Sequence, residues 1–259
     1  MIYISIVSHG HADMIQQLDC VSALAQDNRF RVIIKDNKGE SILEQYCINN
    51  NISYYSEPLG LGFGANNNYI FSTIHSLIVD DDYFIVLNPD VLVSCSEIIS
   101  AIDEMKFRHA KIGTINLFRD ENYSVYDYSV RRFPSLTDFI SSYVGIGNKT
   151  IIDKSSIRSN VFVDWAAGSF LIFNAALYKS LNGFNERYFM YCEDIDICWR
   201  AQKVAGEKVY FMPGYKAMHL AQLNNRQFFS KHFLWHIISA IRFLFYRYGI
   251  FNIDCKSGT

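Results

Sequence analysis

Four apolar runs of strand length recur at helix-sized intervals in the first third of the chain, and that rhythm restricts the fold more than any other feature. They are Ile2 to Ser8, Arg31 to Asp36, Ile52 to Ser56 and Tyr83 to Asn88, each rich in Ile, Val, Tyr or Phe. A β-α-β-α-β-α-β order implies an α/β fold with a mostly parallel sheet covered by helices on both faces. The chain has 259 residues, half of them apolar, enough for one sizeable core. Ser94 followed by Glu97 is a capping-box start for a helix reaching about His109. Further strands are expected at Lys111 to Phe118, "GSFLIFN" (168–174), "EKVYFMP" and "YKAMHL", with a helix from Glu193 to Ala205. Residues 141–160 read as loop or short helix, and a long aromatic segment runs from Arg226 to Gly249.

The net charge of −2 hides an asymmetry: from Lys208 onward there are seven Lys or Arg and one acid, Asp254. A basic tail on an acidic body suits an anionic surface and argues against a nucleic-acid track along the whole chain. The six cysteines contain no C-x-x-C pair, and the first strand is no secretory leader, so a reducing cytoplasm is expected.

The stretch "EPLGLGFGANNNYI" (57–70) matches G-x-G-x-x-[GA] through Gly60, Gly62 and Ala65. A dinucleotide cradle needs that pattern directly after the first strand, whereas here it follows the third, behind Pro58. Two readings remain open: a loop whose glycines only permit a turn, or a bare backbone at Gly64 beside a nucleotide diphosphate, followed by Asn66, Asn67 and Asn68 at a helix start. Three consecutive asparagines cost helix propensity, so something other than helix formation asks for them.

Carboxylates stand at two further places. "VLNPDV" ends a strand at Asn88-Pro89-Asp90, which reads either as a turn or as oxygen ligands for Mg²⁺ or Mn²⁺. In "YFMYCEDIDICWR", Glu193, Asp194 and Asp196 begin a helix. They either complement its dipole or, lying among Phe189, Met190, Tyr191 and Ile195, supply a partly buried general base. His219 is a strand-end histidine or a metal ligand, and His9 is a loop residue or a nucleotide contact.

Taken together and in order, "IVSHG", "KDNKG", "GFGANNN", "LNPDV", "DWAAGSFLI", "GFNERYFMYCEDIDICWR" and "AMHLA" resemble the inverting glycosyltransferase family two, and within it bacterial O-antigen and cell-wall rhamnosyltransferases. The resemblance implies a GT-A catalytic domain over 1–221, with a nucleotide-binding half (1–100) and an acceptor half (101–221), followed by a basic aromatic helical tail (222–259). It implies a dTDP-sugar donor, a divalent cation and a polyprenyl-diphosphate-linked glycan acceptor, as in lipopolysaccharide biosynthesis. By the same matches, Ser8, His9, Asp36, Asn37, Gly64, Asn66, Asn67, Asn68, Asn88, Gly168 and Arg200 would hold the nucleotide sugar, and Trp165 and Ser169 would line the acceptor. Asp90 and His219 would ligate metal, and Asp194, with Glu193 beside it, would be catalytic. Many GT-A enzymes carry Asp-x-Asp at the metal site; here the first position is Asn88, one carboxylate fewer. Other nucleotide sugars, UDP-hexose or UDP-galactofuranose, and a non-catalytic sugar-nucleotide-binding membrane adaptor are the alternatives.

From Phe228 to Ile250 aromatic and aliphatic residues are interrupted by Lys231, His232, His236, Arg242 and Arg247. A buried Arg242 would cost a membrane span ~3 kcal/mol, so an in-plane interfacial helix is expected, with Phe233, Trp235, Phe243 and Phe245 sunk below anionic headgroups. Packing on the catalytic unit or on a second subunit is the alternative. The expected location is peripheral, on the cytoplasmic face of the cell membrane. Nothing in the sequence fixes an oligomeric state.

Overall fold

The structure, a computed structural model, describes residues 1–143, 147–220 and 231–250. The first half is β1 (Ile2–Ser8), α1 (Ala12–Leu18), α2 (Cys20–Gln26), β2 (Phe30–Asp36), α3 (Ser41–Asn49), β3 (Ser53–Tyr55), α4 (Phe63–Thr73) and β4 (Tyr83–Leu87). Then come β5 (Val91–Leu92), α5 (Cys95–Phe107), β6 (Ile112–Phe118), β7 (Val130–Arg131), α6 (Leu136–Tyr143), β8 (Val161–Val163), β9 (Trp165–Ala166) and β10 (Phe170–Asn174). The chain continues through α7 (Ala175–Ser180), α8 (Glu193–Val204) and β11 (Val209–His219) to α9 (Lys231–Arg247).

The main sheet has the order β3-β2-β1-β4-β10-β6-β11-β5, with β8 added to β11. β1 pairs in parallel with β2 and β4, and β6 in parallel with β11. β10 is antiparallel to both of its neighbours, because the chain enters it from the carboxyl edge of the parallel strands and has to run back. The two strand-like runs expected near the end are one strand: β11 shifts register between Met212 and Lys216, where Pro213 and Gly214 interrupt the ladder. The cap of α5 is half as expected. Ser94 Oγ accepts from the Glu97 N–H at 3.2 Å, but the Glu97 carboxylate reaches the Lys216 N–H at 3.0 Å, tying α5 to β11.

Side-chain alternation splits the core across the two faces of the sheet. Ile4, Ile6, Ile34, Ile85 and Leu87 meet α1, α2, α3 and α5, while Tyr3, Ile33, Phe84 and Val86 face α4, α7 and α8. Ala240, Phe243 and Leu244 of α9 belong to the second of these clusters. The tail helix is therefore continuous with the rest of the protein in its packing, and the expected burial of Phe243 in lipid is corrected: that side chain is fully buried in protein.

What positions the site is register. Ser8 lies opposite Asp36, Ile6 opposite Leu87, and His219 opposite Val91, so the ends of β1, β2 and β4 and the last residue of β11 gather along one edge. Ligands collect at that edge in open α/β sheets.

Candidate active site

At the edge, Asp36 and Asn37 shape a loop. The buried Asp36 carboxylate accepts from the N–H groups of Lys38 (2.8 Å) and Glu40 (2.6 Å) and from the Tyr54 hydroxyl (2.9 Å). Asn37 donates its amide to the Leu61 carbonyl at 2.8 Å and accepts from the Leu61 N–H at 3.2 Å, pinning the glycine loop to β2. Ser8 Oγ accepts from the His11 N–H at 3.2 Å, and the His9 N–H donates to His11 Nδ1 at 2.9 Å.

The glycine loop meets protein. A Cβ on Gly62 would lie 2.2 Å from the Phe189 carbonyl oxygen, and one on Gly64 would lie 2.7 Å from Phe184 Cβ. The Phe63 N–H donates to that same Phe189 carbonyl at 3.1 Å. These glycines let the start of α4 press against the segment that leads into α8.

The three asparagines also spend their amides on the fold. Asn66 donates to the carbonyls of Leu61 and Gly62 at 2.9 Å each, and Asn67 donates to Phe63 O at 2.9 Å while accepting from Ser5 Oγ at 2.6 Å. Asn68 donates to Phe184 O (2.8 Å) and to Glu186 (2.9 Å) and accepts from the Tyr178 hydroxyl and the Phe184 N–H at 2.8 Å each. Tertiary hydrogen bonds ask for the helix-weakening residues, and the expected diphosphate contact is corrected for Asn67 and Asn68. Asn66 keeps one buried oxygen, Oδ1, without a hydrogen bond.

Asp90 follows the turn after β4, and its carbonyl accepts from the Leu220 N–H at 3.0 Å, holding the end of β11 beside it. His219 Nε2 lies 3.4 Å from Asp90 Oδ1, and its Nδ1 donates to Asp127 Oδ2 at 3.2 Å. Burial disfavours the imidazolium, but the two carboxylates outweigh it and lift the His219 pKa to about 9. Arg119 lies 3.5 Å from the same Asp127 oxygen. Asp127 was not legible beforehand, being a lone acid in "VYDYSV" whose partner is 92 residues away.

Among the described residues there is no group of three or more His, Cys, Asp or Glu side chains able to hold a metal. Asp90 and His219 are a two-residue oxygen–nitrogen set, which suits Mn²⁺ better than Mg²⁺ and leaves positions for diphosphate oxygens and water. The residues fit such an ion. With such an ion bound, Asp127 would be the outer carboxylate that orients the imidazole.

The other acids lie at the head of α8. Tyr191 and Cys192 both have positive φ (70° and 65°), a sharp bend that turns Glu193 and Asp194 inward. The Gly168 N–H donates to Asp194 Oδ2 at 3.2 Å and the Ile195 N–H to Oδ1 at 2.8 Å. A Cβ on Gly168 would lie 3.7 Å from Asp194 Cβ and 2.9 Å from the Phe63 ring, so that backbone approach needs glycine. Burial raises the Asp194 pKa against the pull of those N–H groups and of Arg131. Glu193 is buried and pushed up to about 8, first by desolvation and then by Asp194, and its Oε2 has no hydrogen bond.

The two acidic places meet through one turn. Gly168 clamps Asp194, and the carbonyl of the next residue, Ser169, accepts from the Asn88 N–H at 2.9 Å, two residues before Asp90. Ser169 Oγ in this turn and Glu193 Oε2 beside Asp194 are buried without hydrogen bonds. Orphaned polar atoms are rare in native interiors and point to a ligand that satisfies them.

Two expected residues lie elsewhere. Arg200 is buried in an ion pair with Asp196 (2.7 Å) and donates to the carbonyls of Leu181 (2.6 Å) and Gly183 (2.8 Å), so its assignment to the nucleotide sugar is corrected to a core clasp. Trp165 is buried in the core, its indole N–H donating to Arg132 O at 2.8 Å, with the Arg131 guanidinium 5.6 Å from its ring.

A curled, mostly parallel sheet flanked by helices is the frame of a GT-A glycosyltransferase. The solved structure of GalNAc-T7 with UDP, GalNAc and Mn²⁺ superposes with a TM-score of 0.60 over 93% of this chain and 47% of that one, at 12% identity. The mannosyltransferase PcManGT of Pyrobaculum calidifontis, with GDP-Man and Mn²⁺, gives 0.56 over 93% and 64%, at 13% identity. At that identity they establish the fold alone. Rhamnosyltransferase WbbL of Escherichia coli K12 is 42% identical over 247 residues, 94% of this chain and 92% of that protein. The chain belongs to this rhamnosyltransferase family and is a glycosyltransferase. N-acetylglucosaminyl-diphospho-decaprenol L-rhamnosyltransferase of Mycobacterium tuberculosis is 28% identical over 76% of this chain and 68% of that protein. No family profile matches the chain.

Proposed function

We propose that the protein transfers L-rhamnose from dTDP-rhamnose, with inversion, to a lipid-diphosphate-linked glycan in O-antigen or other cell-surface polysaccharide assembly, at the cytoplasmic face of the cell membrane. The observation that carries the reading is the 168–169 turn, which bonds Asp194 on one side and the strand end before Asp90 on the other. The rhamnosyl activity and lipid-linked acceptor in the names of the relatives support the donor and acceptor classes.

The acceptor hydroxyl oxygen attacks the anomeric carbon from the face opposite the diphosphate, and the bond from that carbon to the diphosphate oxygen breaks. Asp194, whose pKa burial has raised, takes the hydroxyl proton as the new C–O bond forms. The Gly168 and Ile195 N–H groups keep its carboxylate aimed. Asp90 and His219 would hold Mn²⁺ or Mg²⁺, which when bound supplies positive charge for the departing nucleoside diphosphate. Glu193 Oε2 and Ser169 Oγ offer hydrogen bonds to sugar hydroxyls.

The test is transfer from a panel of dTDP- and UDP-sugars to a lipid-diphosphate-linked N-acetylglucosamine, with the anomeric configuration of the product read by NMR. Transfer from dTDP-rhamnose with inversion is expected. Preference for a UDP-hexose or UDP-galactofuranose would overturn the donor, and binding without transfer from any donor would overturn the catalytic reading.

A further inference from the structure

The two sides of α9 do different work. Its inner side packs on the base-bearing loop: Ser239 Oγ donates to the Met190 carbonyl at 2.9 Å, and the rings of Trp235 and His236 lie 4.7 Å from Phe189 and 5.1 Å from Tyr191. Arg242 and Arg187 extend the contact through hydrogen bonds to Arg187 O and to the Tyr246 hydroxyl. The outer side carries Leu234, Ile238, Ile241, Phe245 and Tyr248, exposed by 57, 44, 47, 37 and 57%. Their spacing of four, three, four and three places all five in one stripe, opposite the buried Phe243.

A second helix, in contact with α9, also exposes apolar side chains. In α6, Leu136 and Ile140, one turn apart, are 53 and 54% exposed, while Phe139 between them is buried with its ring 6.4 Å from His236. Arg247 of α9 also donates to the Pro134 carbonyl at the head of α6. Two neighbouring helices thus show water an apolar surface beside the loop that leads to Asp194.

We propose that the outer faces of α6 and α9 are a docking surface for an anionic phospholipid bilayer. The inference rests on the lipid-linked acceptor proposed above and names what that acceptor is embedded in. Charge decides between lipid and a second copy of the chain. α9 contains Lys231, Arg242 and Arg247 and no acid, and the stretch from Arg226 onward holds five Lys or Arg against Asp254. A two-fold pairing of this helix would set basic flanks against basic flanks, whereas paired helices want opposite charges beside their apolar seam. Arg242 and Arg247 each spend one guanidinium nitrogen on a protein carbonyl but stay part-exposed, so α9 keeps a net positive charge that suits anionic headgroups beside its apolar stripe. No helix among the described residues is long and apolar enough to cross a membrane, so the surface would lie in the plane of the interface. The stripe differs from the one expected from sequence: Trp235 and Phe243 are engaged with protein, and of the four aromatic residues named there Phe245 lies in it.

The test uses the full chain and the triple variant Leu234→Gln, Ile238→Gln, Ile241→Gln, none of which touches the crevice. Co-sedimentation is measured with phosphatidylcholine vesicles with and without phosphatidylglycerol, together with light scattering, thermal melts and turnover on a short-chain, water-soluble acceptor. The wild type is expected to bind the anionic vesicles, and the variant to bind them at least ~10-fold more weakly, with its melt and soluble turnover unchanged. Equal binding by both proteins, or a wild-type dimer that the variant converts to a monomer without vesicle binding, overturns the proposal. Absence of soluble turnover in the wild type would instead fail the sugar-transfer reading and leave the vesicle result standing.

Discussion

Arg200 separates a structural from a ligand-binding account of the same residue, and its replacement by Met keeps the bulk while removing the charge. The guanidinium and the Asp196 carboxylate are 3 and 2% exposed, with Nε 2.7 Å from Oδ2. Removing one partner of so buried a pair leaves the other charged and alone, which costs about 3–5 kcal/mol. The carbonyls of Leu181 and Gly183 lose their donors as well. At about 2–4 °C per kcal/mol for a chain of this size, the melting temperature should fall by roughly 6–20 °C. The sign with pH follows from Asp196, whose pKa burial raises even with Arg200 present. A carboxyl raised above its unfolded value binds more protons when folded, so stability gains as pH falls toward that value. Without Arg200 the rise is larger, and the deficit of the variant should shrink between pH 7 and pH 5. Calorimetry at both pH values with donor titrations is the assay. An unchanged melt together with lost donor affinity would refute the core-clasp reading and return Arg200 to the nucleotide sugar.

Three other outcomes follow from the same contacts. Gly62→Ala sets a Cβ 2.2 Å from the Phe189 carbonyl, so a melt should report a loss of about 1–3 kcal/mol, and transfer should fall with it because Phe189 precedes the base. His219 is raised to about 9 from 6.5, so its contribution to stability is full below pH 6.5 and lost as pH rises through about 9; denaturation in chelator should show that decline, and His219→Gln should flatten it. Asp127→Asn should weaken Mn²⁺ binding in the presence of dTDP by ~10–100-fold, read by electron paramagnetic resonance, while leaving the melt in chelator within the range of His219→Gln.

Strand periodicity carried the fold. The apolar runs of β1, β2, β4 and β6 appear within a residue or two of their expected bounds, since burial on both faces writes a continuous apolar signal. The direction of β10 was not visible, because an antiparallel strand in such a sheet has the same composition as a parallel one. Among the acids, position at a strand or helix end singled out Asp90 and Asp194; the 168–169 turn bonds Asp194 directly and reaches Asn88, two residues before Asp90. Polar residue type alone misled at Asn67, Asn68 and Arg200: their donors satisfy buried carbonyls and a buried carboxylate, and only three-dimensional neighbours distinguish that from a ligand contact. Asp127 was hidden for the same reason, since its role exists only once β11 delivers His219 to it.

The account stands on Asp194 as the proton acceptor, and the most direct measurement is the single-turnover rate of sugar transfer by Asp194→Asn beside its affinity for the donor. Transfer should fall by about 10²–10⁴-fold with donor affinity nearly unchanged, because the proton it removes belongs to the acceptor. Transfer at the wild-type rate would contradict it.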